Sequence, residues 1–194
     1  DRDVRHMVYM FSGVGCGILI NEEIYRGANG AAGELGITSA HASKDYAFKI
    51  ATQLGRWEAD IGMVRHARER IEKGETSILK DLVKGDLDKL SFKDIVKSVK
   101  DKDPLALKVV EQAGQDLGKK IAFIVNLLNP EVVVIGGGIE DCGAPLLDSV
   151  KTTVKEWAVE EAATPVKIIP SAFGENAVAL GVVGIVAREV FAQA

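Results

Sequence analysis

Asn129-Pro130-Glu131-Val132-Val133-Val134-Ile135-Gly136-Gly137-Gly138 holds a helix stop, a strand and a turn in one short run. Asn129-Pro130 ends the helix before it, because proline has no N–H to donate and biases its predecessor away from the helical region. Residues 132–135 are apolar on both faces, the pattern of a central parallel strand covered by helices on either side. The glycine triplet then leaves a turn without side chains at that strand's carboxyl end, where open α/β sheets place their ligands. Taken alone, the triplet reads equally as a tight strand-to-helix connection or as a surface against which a flat base or ribose could lie.

Upstream of the stop, Asp103 is placed to cap a helix and Pro104 to occupy its first turn. Leu107, Val110, Gly114, Leu117, Ile121, Ile124, Val125 and Leu128 then keep a stripe of period 3.6. Downstream, a helix is predicted over residues 145–161, a strand over 166–169 and a last helix over 174–191, apolar around most of its circumference. At the front, residues 7–11 and 17–20 read as short buried strands, and Asn21-Glu22 turns the chain into a third strand over 23–26. Residues 43–100 are helical in pattern, with Asp45, Asp60 and Ser91 near helix starts and Gly74 and Gly85 as stops. Three meander strands followed by α, β, α, β, α predict an α/β fold. Its mixed sheet joins an antiparallel three-strand meander to parallel strands and carries helices on both faces.

At 194 residues, 47% hydrophobic and 27% charged, the chain has room for one globular domain. A net charge of -4 leaves no surplus of Lys and Arg to neutralise a run of phosphates, so this segment is not itself a grip for nucleic acid. Cys16 and Cys142 are too few for a disulfide framework or a clustered zinc site, and they fit a reducing, cytoplasmic setting. The apolar run at 177–187 falls well short of the roughly 18 residues of a membrane span, and no signal sequence opens the chain. The mostly charged lead from Asp1 straight into the first strand predicts a fragment whose N-terminal portion is absent.

Two loops stand out. Ser12-Gly13-Val14-Gly15-Cys16-Gly17 has alternate glycines but lies between two strands, whereas a dinucleotide fingerprint needs a helix after it. It reads either as a hairpin turn or as a nest whose N–H groups, with the Ser12 hydroxyl, cradle a phosphate. In Gly27-Ala28-Asn29-Gly30-Ala31-Ala32-Gly33-Glu34-Leu35-Gly36, the small residues let a ligand approach the backbone. Glu34 is out of place there, since a carboxylate amid Ala and Gly is costly if buried unpaired and is well suited to accepting hydrogen bonds from sugar hydroxyls. Glu58, after Trp57, reads alone as a solvated acid near a helix start. His41 and His66 have no spaced partners that would make a metal site.

Taken in order, these elements resemble the ROK family of repressors and sugar kinases, built on the actin-like, ribonuclease-H-like ATPase fold. Residues 12–17 resemble its second phosphate loop, and residues 25–36 its signature leading into the sugar site. Residues 129–138 are similar to its adenosine-side motif, and Gly174-Glu175-Asn176-Ala177-Val178-Ala179-Leu180-Gly181 to its last helix. The resemblance implies a sugar site at Glu34, Glu58, Asn29 and Gly33, with Gly55-Arg56-Trp57-Glu58 aligned so that Glu58 is a second sugar-facing carboxylate. It implies phosphate contacts at Ser12, Gly13 and Gly15, and nucleotide contacts at Gly136, Gly137 and Gly138.

There are departures from the family pattern. Ile37 stands where the family has His, and Arg56 where it has the last Cys of a zinc cluster, so no metal site is expected. The Asn-Asp pair and Asp-x-Gly-x-Thr loop of the family's catalytic lobe do not occur, so no catalytic residue is assigned and the chain is expected to be inert by itself. The expectation is therefore a single C-terminal lobe over residues 1–194, with a helical insertion at about 43–100, serving as the sugar-binding half of a repressor. DNA would be met only through an absent N-terminal domain. The alternative is the C-terminal half of an ATP-dependent sugar kinase, on which reading ATP and magnesium enter. A homo-oligomer with no membrane attachment is expected in either case.

Overall fold

The computed structural model describes residues 4–11, 15–35 and 60–191. The sheet has five strands in the order β3-β2-β1-β4-β5, formed by β1 (Met7–Phe11), β2 (Gly15–Ile20), β3 (Glu23–Ile24), β4 (Val132–Gly136) and β5 (Lys167–Pro170). β1 pairs antiparallel with β2 and parallel with β4, while β5 continues the parallel half. The expected joining of a meander to parallel strands is therefore found. β3 is shorter than the 23–26 expected: Tyr25 makes one more bond, its N–H to the Ile18 carbonyl at 2.9 Å, before the chain leaves the sheet.

Between the two halves of the sheet run α1 (Asp60–Glu72), α2 (Ile78–Leu82), α3 (Phe92–Lys100) and α4 (Pro104–Leu128). The expected start at Asp45 lies outside the described residues. Ser91 and Asp94 close a capping box at the start of α3, and Gly74 and Gly85 follow α1 and α2 with positive φ. α4 has the predicted limits, with Asp103 accepting from the Ala106 N–H at its start and Asn129 in the left-handed region at its end.

After β4 come α5 (Ala144–Trp157), α6 (Glu160–Ala163) and, beyond β5, α7 (Ala177–Phe191). The single helix expected over 145–161 is broken at Ala158, which is extended. The Asn126 side chain on α4 takes the Val159 N–H at 2.8 Å, a tertiary bond that local pattern does not reveal.

Alternation along the strands determines where the core lies. Val8, Met10, Val133, Ile135 and Ile168 are buried on one sheet face, in a core with Val110, Ile121 and Val125 of α4 and Leu146, Val150 and Val154 of α5. The backbones of α4 and α5 approach closely because Gly114 and Gly118 have no side chains. A Cβ at either would stand under 3 Å from Ser149 or Thr153 on α5. The opposite face, carrying Tyr9, Phe11 and Val134, is half-buried, and Ile169 is exposed.

α7 exposes Val178, Leu180, Val182, Val183, Val186 and Val190. A patch of that kind favours association. Sedimentation of the isolated chain is expected to show a concentration-dependent rise in mass, and a strictly monomeric chain over a wide concentration range would contradict this.

Candidate functional site

β1, β4 and β5 are parallel and end at the same edge. Phe11 is in register with both Gly15 on β2 and Gly136 on β4, and Ile135 with Pro170 on β5. With neighbouring strands about 4.8 Å apart, Gly15 and Gly136 lie roughly 10 Å apart on either side of Phe11. Gly15, at the start of β2, and the glycine triplet thus lie at one edge, the carboxyl edge of the parallel strands. A strand, β2, follows the turn, as the sequence required when it excluded a dinucleotide fingerprint. Ser12 and Gly13 lie outside the described residues, so Gly15 alone represents the expected phosphate contacts.

The loop of small residues is fastened to the start of β2. The Cys16 N–H donates to the Gly33 carbonyl at 2.7 Å, and Gly15 and Glu34 form an isolated antiparallel bridge. Within the loop, Ala32 donates to the Arg26 carbonyl at 3.2 Å, and Ala31 donates to Asn29 Oδ1 at 3.3 Å. Gly33 has φ of 90°, and a Cβ there would run into the Cys16 carbonyl oxygen. Its lack of a side chain is therefore demanded by the chain's own backbone. Sequence reasoning had assigned that smallness to ligand approach.

The structure brings Gly33 and Glu34 together with Gly15 at this edge, while Asn29 is bonded within its own loop, to the Ala31 N–H. Glu34 is exposed, so it carries no burial cost that would require a protein partner. Its carboxylate is close enough to act on Cys16, whose half-buried thiol is pushed up first by burial and then by that negative charge. Glu58, Ile37 and Arg56 lie outside the described residues.

At the glycine triplet, Gly136 is buried, and a Cβ there would collide with the Tyr9 hydroxyl, which lies 3.5 Å from Ser171 Oγ. Gly137 and Gly138 both have positive φ, as a tight turn requires. The Gly138 N–H donates to Glu140 Oε2 at 2.7 Å. Sequence reasoning did not single out Tyr9, Ser171 or Glu140. Tyr9 is remote from the triplet along the chain, and only the strand register shows that they meet.

A separate groove of about 560 Å³ lies between α1 and α4, bordered by Met63, His66, Gln112 and Asp116. It includes none of the residues nominated above. Two of its polar groups are engaged locally, Arg70 with Glu75 at 2.6 Å and His66 3.8 Å from Glu69. Among the described residues no group of three or more His, Cys, Asp or Glu side chains could hold a metal ion. None of the described helices is long and apolar enough to cross a membrane.

Comparison with known proteins gives this geometry a family. The family model described as "ROK family" matches residues 2–189. The xylose repressor of Bacillus subtilis (strain 168) is 28% identical over 181 residues, covering 92% of this chain and 43% of its own length. A glucokinase of Halalkalibacterium halodurans is 31% identical over 181 residues, covering 92% of this chain and 53% of its own length. The chain thus spans about half the length of the curated relatives it matches. A crystal structure of a ROK family transcriptional regulator, a homologue of the Escherichia coli MLC protein, superposes with a TM-score of 0.70 at 26% identity. It covers 87% of this chain and 42% of its own. A ROK family glucokinase of Streptomyces griseus, at 21% identity and a TM-score of 0.71, and a putative sugar kinase of Cytophaga hutchinsonii, at 19% and 0.73, share the fold, the actin-like ATPase architecture with its mixed sheet. With the meander, the glycine edge and the last helix in family order along almost its whole length, the chain belongs to the ROK family.

Proposed function

We propose that this chain is the sugar-effector-binding lobe of a ROK-family transcriptional repressor, and that operator DNA is contacted by a part of the whole protein outside these residues. The observation that carries the reading is the position of Glu34. Its exposed carboxylate is held beside Gly15 and Cys16 by the backbone bond from Cys16 to Gly33, on the ligand edge of the sheet. An anchored, solvent-facing carboxylate can take two hydroxyls of a polyol without first losing a protein partner. Asn29, Gly33 and Glu58 are proposed to complete the sugar site around it.

A repressor needs the sugar to bind one arrangement of the whole protein better than another, since equal affinity for both would shift nothing. The chain's net charge of -4 accords with a lobe that senses and leaves the DNA to another part. The likeness to a xylose repressor supports this reading, and the departures at Ile37 and Arg56 point away from a braced catalytic sugar site.

The kinase reading is favoured by the shared glycine edge and by the likeness to a glucokinase. On that reading a general base and a first phosphate loop would be supplied by a part of the whole protein outside these residues. Sugar-dependent ADP release by the whole protein would decide for the kinase.

The test is titration of xylose, glucose and N-acetylglucosamine while following thermal unfolding. A ligand at one hundred times its Kd stabilises by about 2.7 kcal/mol, a shift of several degrees at this size. Glu34→Ala is expected to weaken the responding sugar roughly 10- to 100-fold, the value of a hydrogen-bonded charged group. An undiminished response in Glu34→Ala would overturn the assignment.

A further inference from the structure

We propose that Glu140 is a resident anion on the glycine edge, holding the Gly138 N–H for itself and turning phosphate-bearing ligands away from the carboxyl end of β4. The proposal rests on the sensing reading in one respect, that a sensor needs a sugar but no phosphate donor.

Glycine-rich turns bind anions by pointing free backbone N–H groups at them. In this chain one such donor is already taken, by the bond from Gly138 to Glu140 Oε2 at 2.7 Å. Glu140 is only 9% exposed, and its second oxygen, Oε1, has no hydrogen-bond partner in the structure. A buried carboxylate with one unmatched oxygen is costly, so packing alone would favour a smaller or neutral side chain here. Burial pushes its pKa up, opposed by hydrogen bonds from its own N–H and that of Gly138, and the charge of neighbouring Asp141 pushes it up further.

Charge, not bulk, guards this edge. A Cβ on Gly138 would meet nothing within 4 Å, so a ligand has room to lie there. The side of Gly136, by contrast, is filled by the Tyr9 hydroxyl. A phosphate placed on the Gly138 N–H would therefore lie beside the Glu140 carboxylate that already holds it, with Asp141 next along the chain. Like charges brought within hydrogen-bonding reach of one donor repel, and the buried side of Glu140 leaves its charge less screened than a fully solvated acid. An uncharged ligand would feel no such barrier.

The experiment follows the Gly138 amide in proton–nitrogen correlation spectra of the chain and of Glu140→Gln and Glu140→Ser, titrated with ADP and, separately, with uncharged adenosine. Glu140→Gln removes the charge while keeping shape and acceptor, so it decides the outcome even if Glu140→Ser fails to fold. The wild-type amide is expected to stay still up to about 1 mM ADP, and the variants to respond at concentrations at least tenfold lower. Adenosine should act alike on all three. A wild-type response to ADP matching that of the variants would overturn the proposal, and so would variants as silent as the wild type. Sugar titration of the same samples keeps the two readings apart. Loss of sugar binding in the wild type would sink the sensing reading and leave the ADP comparison intact.

Discussion

Gly33→Ala is expected to abolish the sugar response while lowering global stability by only about 1–3 kcal/mol. The backbone at 33 sits at φ of 90°, where an L side chain is strained by roughly 1–2 kcal/mol, and the added methyl would press into the Cys16 carbonyl oxygen. Neither backbone can yield without breaking the bond from Cys16 to Gly33 and the bridge between Gly15 and Glu34. The loop would then swing away from β2, taking Glu34 with it. The main core, built from α4, α5 and one sheet face, makes no use of this loop beyond half-buried Leu35 at its margin, so unfolding should shift by only a few degrees. Thermal unfolding with and without sugar separates the two effects. A variant that keeps its sugar response would show that the fastening of the loop is irrelevant to binding.

The second large effect is expected far from the site. Asp103 is 4% exposed and accepts three hydrogen bonds. Its donors are the Ser77 hydroxyl at 2.9 Å, the Ile78 N–H at 3.0 Å and the Ala106 N–H at 2.9 Å. One carboxylate therefore ties the start of α2 to the start of α4, while Ser77 in turn caps α2 through the Leu79 N–H. Asp103→Ala removes the cap of α4, worth about 1 kcal/mol, and leaves donors at 77 and 78 without an acceptor in a shielded place. The expected loss is on the order of 3–5 kcal/mol, read as a lower denaturant midpoint. Asp103→Asn should lose part of that, since its NH₂ must face one of the donors. A loss under about 1 kcal/mol for the alanine variant would mean that water replaces the carboxylate.

Asp103 also shows what was legible in the sequence. Its role at α4 could be read directly, because Asp followed by Pro and a long apolar stripe is a local signal. Its second role could not, because Ser77 lies 26 residues earlier and nothing in the spacing announces their meeting. The same division runs through the fold. The meander, β4 and the stop at Asn129 depend on neighbouring residues and were legible, as was the mixed sheet. The break at Ala158 depends on Asn126, and the shortness of β3 on where the chain leaves the sheet.

At the candidate site, the glycines at 33 and 136 were legible as places needing an absent side chain. The reasons differ from those expected, since the space is taken by Cys16 and Tyr9. Gly118 was missed beside Gly114, although the two lie one helical turn apart and together admit α5. Glu140 was missed because an acid in a turn looks solvated until its burial is seen.

The loop at 27–35 is proposed as a sugar-binding element held on the ligand edge. Its most direct test is a proton–nitrogen correlation titration of the chain with the sugar that stabilises it, following every backbone amide. Shifts should concentrate in residues 27–35 and at Gly15 and Cys16, and saturate together. Shifts gathered instead in the groove between α1 and α4, with the loop and β2 amides unmoved, would contradict it.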